Sequence, residues 1–221
     1  ITLLCSPKSL KYLSVGFLYS EGFIEGYSAI EDIQIDEEKG RAYIRLNAKE
    51  LFNKKLQDKR TIASSGAKGT MFYDMLDLLK SKKVEDSLDI SVYEIKKLME
   101  TFNKNSDLFY KTGGVHACAI CDNSSIIYFE EDIGRHNALD KVLGRALVEN
   151  INLGDKMVLA SGRISSEMLI KAIKRGIKAV VSRSAPTSLA VHMARELNIV
   201  LIGFVRGEKM NIYSNFSSLK F

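Results

Sequence analysis

From residue 156 to residue 213, strand-length apolar runs alternate without a break with longer amphipathic ones. Residues 156–160, 179–182 and 199–204 are dominated by Val, Leu, Ile and Ala. Between them, 165–175 and 187–197 repeat apolar residues at helical spacing, each opened by a Ser or Thr suited to capping. A last strand is expected at 210–213. Strands joined by single helices run parallel and cross over on one hand, so this alternation commits the chain to an α/β fold with a layered sheet.

In an open α/β sheet the carboxyl ends of the strands converge on the ligand crevice. Three successive strand ends carry related chemistry here. Ser161, Gly162 and Arg163 follow the first, and Ser182, Arg183 and Ser184 end the second. Phe204, Val205, Arg206, Gly207, Glu208 and Lys209 close the third. Arginine forks and free N–H groups at helix starts suit phosphates. One such loop is ordinary turn chemistry; three at one sheet edge point to a phosphate-bearing ligand. A fourth small-residue loop, 61–70, precedes a helix expected through Leu79 and can cradle an anion. It lacks the spacing of a Walker loop and reads equally well as a linker.

Residues 112–147 hold two of the three histidines and two of the three cysteines. A strand at 115–121, a polar turn at 122–125 and a returning strand at 126–129 lead into a helix starting near His136. Ala138, Leu139, Val142, Leu143, Ala146 and Leu147 supply its apolar face. Between strand and helix, residues 130–136 carry more polar groups than a helix cap needs. Gly134, Arg135 and His136 are therefore expected against the crevice. His136 reads equally as a proton-transfer group or as a hydrogen-bonding partner of the helix start.

Upstream, residues 1–5 look like the end of a strand. Ser6 and Pro7 are expected to cap a helix that ends at Ser20, Glu21 and Gly22. Runs at 33–35 and 42–46 flank a turn and predict a hairpin. A further helix is expected over 91–103. The chain divides into a small N-terminal α+β portion (1–60), a loop and helical connector (61–105) and an α/β cofactor-binding domain (106–221). A 46% hydrophobic content over 221 residues suffices for a packed core. The net charge of +5 suits an anionic ligand but is too mild to indicate nucleic-acid binding. No apolar run approaches the roughly 20 residues of a membrane span, and no leader pattern is present. Three cysteines, an odd number, point to a reducing compartment, so a cytoplasmic protein is expected.

Cys118 and Cys121 form a CxxC two residues after His116. On a strand His116 and Cys118 share a face while Cys121 points away. Zinc takes about four convergent ligands, and Cys5 and His192 stand alone in the sequence. The HxE and PCxxC pattern of zinc deaminases is absent. No bound metal is expected.

The segments TGGVHACA, EEDIGRHNALDKVLGRAL, SGRISSEM, SAPTSLAV and GFVRGEKMNIYS closely resemble the formate dehydrogenase accessory sulfurtransferases, the FdhD family. CSPKSLKYLSVGFLYSEGFI resembles the family's early segment. The resemblance implies a cytidine-deaminase-like fold, a homodimer, and transfer of sulfur from a cysteine desulfurase to the molybdenum or tungsten bis(molybdopterin guanine dinucleotide) cofactor of formate dehydrogenase. GDP would be a partial mimic of that cofactor. The family's cofactor-binding segment matches Phe204, Val205, Arg206, Gly207, Glu208 and Lys209. Its mobile loop usually carries a CxxC, whereas Gly66 and Gly69 stand there in this sequence. Either another thiol carries the sulfur, with Cys118 first because an imidazolium at His116 would lower its pKa, or the chain carries the cofactor without sulfur transfer.

Overall fold

The computed structural model describes residues 1–47, 90–214 and 216–220. The loop at 61–70 and its following helix lie outside the described residues. Helix α1 (Leu10–Glu21) leads through a 3-10 turn into the hairpin β1 (Ile30–Asp36) and β2 (Arg41–Leu46). After β3 (Ile90–Ser91) come α2 (Val92–Lys104) and α3 (Asp107–Thr112). The remainder runs β4 (His116–Cys121), β5 (Ile126–Asp132), α4 (Arg135–Val148), β6 (Met157–Ala160), α5 (Ser166–Lys174), β7 (Ala179–Ser182), α6 (Ser188–Glu196), β8 (Val200–Arg206), β9 (Lys209–Ser214) and β10 (Leu219–Lys220).

Six strands form the main sheet in the order β5-β4-β6-β7-β8-β9. The inner strands β6, β7 and β8 pair parallel, and the flanking pairs are antiparallel. β6 and β7 are buried at every position, which is why they read as unbroken apolar runs rather than alternating ones. Residues of α4, α5 and α6 share one apolar cluster with one face of the sheet. The other face packs against α2 and the short β3–β10 pair. The mixed α/β class expected from the alternation is the observed one.

Local chemistry sets most helix starts. Ser91, Ser165 and Thr187 each accept a hydrogen bond from a first-turn N–H, at 3.2, 3.4 and 3.2 Å. α1 departs from expectation: it begins at Leu10, with Ser9 in a left-handed conformation at its start. Ser6 is not its cap, because its N–H and hydroxyl both donate to Asp132 Oδ2 at 3.0 Å. Residues 1–5 are irregular rather than a strand, and the Leu4 carbonyl accepts Asn137 Nδ2 at 2.8 Å. Helix α3 and the β3–β10 pair were not expected.

α1 lies across α4 at backbone contact. A Cβ on Gly16 would fall on the Asp140 carbonyl, and one on Gly144 on the Tyr12 carbonyl. Two buried ion pairs flank this crossing. Lys141 Nζ meets Asp132 Oδ2 at 2.7 Å with both side chains fully buried, and Lys171 Nζ meets Asp140 Oδ2 at 2.7 Å.

Candidate functional site

β4 runs antiparallel to β6, so its start meets the ends of the parallel strands. There the structure holds a cleft of about 370 Å³. One wall is Ser106 and Phe109 with Gly113, Gly114 and Val115; the others are His116, Ala117, Ser161, Arg183, Ser184 and Arg206. No carboxylate is among these lining residues.

The strand-end loops are laced together by short polar links. The Ala117 N–H donates to Ser161 Oγ at 2.9 Å, and the Ser161 N–H returns to the Ala117 carbonyl at 3.0 Å. Ser182 Oγ donates to the Gly162 carbonyl at 2.7 Å and accepts the Ser184 N–H at 3.0 Å. A bridge between Ile164 and Pro186 extends the β6–β7 pairing beyond the strands. These contacts fix the backbone under the arginines.

Phe204 holds a left-handed backbone at φ 55°, where a bulge breaks the β8–β9 register, and the residue is 39% exposed. A bulky residue at that φ carries strain of about 1–3 kcal/mol, which the neighbouring packing must hold in place. Gly203 precedes it because a Cβ there would lie 2.9 Å from Pro186 Cδ and 3.0 Å from the Ser184 carbonyl.

Of the residues singled out from sequence, Ser161, Ser184 and Arg206 line the cleft. Arg163 is exposed outside the lining. Val205 is buried in the core, Glu208 pairs with Lys96 at 2.6 Å, and Gly207 and Lys209 form the exposed β8–β9 turn. Gly134, Arg135 and His136, expected against the crevice, are not among its lining residues, although Arg135 Cβ is 3.3 Å from the position of a Cβ on Gly162. His136 Nε2 is 3.3 Å from Glu167 Oε2 without hydrogen-bond alignment. Burial, then Arg135 and Lys171, lower the His136 pKa to about 4. The acidic half of the junction is structural. Asp132 accepts Ser6, Lys141, the Gly134 N–H and Asn137, and these bonds outweigh burial to hold its pKa low.

Cys118 corrects the expected thiolate. It is fully buried, with Sγ 4.0 Å from the Arg135 carbonyl, and burial followed by Asp140 pushes its pKa up rather than down. His116 cannot offset this as an imidazolium, because burial, Arg135 and Arg163 lower its own pKa. Cys121, on the opposite face, is likewise buried and pushed up to about 12. Cys5 is partly exposed, and its pKa is raised by burial and by Asp132. Gly66 and Gly69 lie outside the described residues. Among the described residues no three His, Cys, Asp or Glu side chains converge as metal ligands.

Sequence reading placed Arg183 in one of the three phosphate-type loops but did not single out His116, Gly113, Gly114, Ser106 and Phe109 as ligand-binding residues. These enter only because β4 is antiparallel to β6, a pairing no local pattern encodes.

The chain is thus an α/β protein whose strand ends surround a cleft lined, among the described residues, by arginines and no carboxylate, the place where open α/β sheets take their ligands. The FdhD/NarQ family model matches residues 1–220, and the chain belongs to that family of sulfur carriers and formate dehydrogenase accessory proteins. It is 46% identical over 221 residues to the sulfur carrier protein FdhD of Listeria monocytogenes serotype 4b, covering 99% of this chain and 85% of that one. It is 43% identical over 215 residues to the sulfur carrier protein FdhD of Bacillus subtilis, covering 97% and 82%. A crystal structure from Desulfotalea psychrophila, provisionally assigned as a formate dehydrogenase accessory protein, superposes with a TM-score of 0.75 at 26% identity. That match covers 98% of this chain and 82% of the other.

Proposed function

We propose that this chain binds the molybdenum or tungsten bis(molybdopterin guanine dinucleotide) cofactor by a guanosine diphosphate arm, so that sulfur from a cysteine desulfurase reaches the metal before delivery to formate dehydrogenase. The observation that carries this reading is the cleft itself, with Arg183, Arg206, Gly113 and Gly114 in its lining and no acidic side chain there among the described residues. Guanidinium forks are the donors that suit a diphosphate, whereas the Gly113 and Gly114 N–H groups are already taken by the Phe109 carbonyl and Thr112 Oγ1. Its 370 Å³ suits one nucleotide arm rather than the whole cofactor. A homodimer, which belongs to the same proposal, offers one cleft per arm. The cofactor would supply the metal that receives sulfur; this chain's residues bind, orient and screen it.

Titration calorimetry with GDP tests the binding. Arg183→Ala and Arg206→Ala should each weaken it by about 1.5–3 kcal/mol, the range for a hydrogen bond to a charged group. Arg163→Ala should weaken it less, because that side chain is outside the lining. Unaltered affinity in the first two variants would remove the diphosphate from this cleft.

A second reading, cofactor carriage without a covalent sulfur step on this chain, is favoured by the burial of Cys118 and Cys121 and by Gly66 and Gly69. Incubation with a desulfurase and cysteine, followed by mass spectrometry, separates the two. A persulfide on any of the three cysteines supports transfer through the chain; none, with GDP binding intact, supports carriage.

A further inference from the structure

His116 opens β4 and lines the cleft between Val115 and Ala117. Its ring occupies the space a side chain at position 162 would need. A Cβ on Gly162 would lie 3.0 Å from His116 Nδ1 and 3.3 Å from Cε1. Gly162 cannot easily move aside, because Ser182 holds its carbonyl at 2.7 Å. The imidazole is thus fitted into the wall rather than lying loosely on it.

The charges facing it are of one sign. Arg135 from α4 and Arg163 from the loop after β6 both act on it, and Arg183 and Arg206 line the same cleft. His136 is the neighbouring imidazole on α4. Asp132 lies opposite in the β4–β5 register, but its oxygens are taken by Ser6, Lys141, the Gly134 N–H and Asn137. Glu167 lies 3.3 Å from His136 Nε2 and is not among the lining residues, and the Glu131 carboxylate behind the Ser106 and Phe109 wall is engaged by the Leu108 and Phe109 N–H groups.

We propose that His116 is a ligand-contacting residue of the cleft that takes up a proton when a diphosphate diester binds. The inference rests on the cofactor-binding reading above. Before binding, burial and the surrounding arginines disfavour the protonated ring. A bound anion cancels their field and accepts a charge-assisted hydrogen bond from the imidazolium, so the protonated form becomes the stable one. The proton comes from solvent. Affinity then rises as pH falls through the bound-state pKa, and levels off below the free-state pKa, where the ring is already charged.

The probe is P1,P2-diguanosine diphosphate, whose phosphates are both esterified and do not titrate near neutrality. Calorimetry in buffers of differing ionisation enthalpy, from about pH 6 to 8 around the ordinary histidine pKa, counts protons directly. The expected result is net uptake toward the acid end, fading at the alkaline end, with affinity changing by up to about tenfold per pH unit inside the window. His116→Asn, or His116→Gln if the first does not fold, should bind with no uptake and a flat pH profile. His136→Gln should keep the uptake. Binding by the parent without uptake overturns the proposal and leaves the cofactor reading standing. Uptake that survives at position 116 but vanishes in His136→Gln also overturns it. No binding by the parent removes both.

Discussion

His136 is the second residue of α4, with a side chain 28% exposed and a folded-state pKa of about 4. Unfolded, it titrates near 6.5, so the unfolded chain takes the proton first. Its contribution is therefore fully present above about pH 6.5 and is lost as pH falls toward 4. His116, also lowered, adds in the same direction. Asp132 is held below the carboxylate range, so its contribution is lost only further into acid. Urea unfolding at pH 7 and pH 4.5 should differ by about 1–3 kcal/mol through His136, and His136→Gln should flatten that difference. An equal acid loss in the variant would mean that other groups carry it. Lys141 is a different case: its ammonium is fully buried and meets Asp132, Ser6 Oγ and the Glu131 carbonyl. Lys141→Met leaves the Asp132 carboxylate buried without its cation and should cost about 3–5 kcal/mol, read from the urea midpoint at neutral pH. A loss below about 1 kcal/mol would mean that the Gly134, Asn137 and Ser6 donors satisfy Asp132 alone.

Among the elements, the crossing of α1 on α4 is the tightest constraint. Gly144→Ala places a methyl on the Tyr12 carbonyl, where backbone rather than a flexible side chain must yield. A destabilisation of about 3 kcal/mol or more is expected, at the upper end for overpacking. A urea midpoint near that of the parent would show that the helices separate freely. This glycine pair was not legible in the sequence, since its meaning depends on two helices meeting. The same holds for Ser6, which looks like a cap until Asp132 reaches it. The β3–β10 pair joins Ile90 to Leu219 and leaves no local pattern at either end. What could be read was what neighbours in sequence decide: the buried runs of β6 and β7, the caps at Ser165 and Thr187, and the Gly22 end of α1. The cleft divides likewise, with Ser161, Ser184 and Arg206 readable at parallel strand ends and His116 hidden by an antiparallel neighbour. Glu131 is a further case, holding the Leu108 and Phe109 N–H groups at 3.0 Å and so anchoring α3, which carries one cleft wall.

For the whole molecule, the cleft joins parts that local unfolding would separate: α3, the start of β4 and the ends of β6, β7 and β8. A ligand held there binds the folded state and not the unfolded one, so it must raise the unfolding temperature. At a hundredfold excess over Kd the gain is about 2.7 kcal/mol. For a chain of this size that corresponds to a shift of roughly 5–10 °C. Because the cleft's lining charges are arginines, with Arg206 exposed at the strand end, the shift should shrink as salt rises and the Debye length shortens. Thermal unfolding with P1,P2-diguanosine diphosphate, at low salt and at about 0.5 M, reads both effects, the second following from charge screening. Arg206→Ala should lower the ligand-induced shift at low salt while leaving the ligand-free transition near that of the parent, because among the described residues its side chain makes a single hydrogen bond, at 3.4 Å to the Arg183 carbonyl. A shift independent of salt and of Arg206 would place the ligand away from these strand ends.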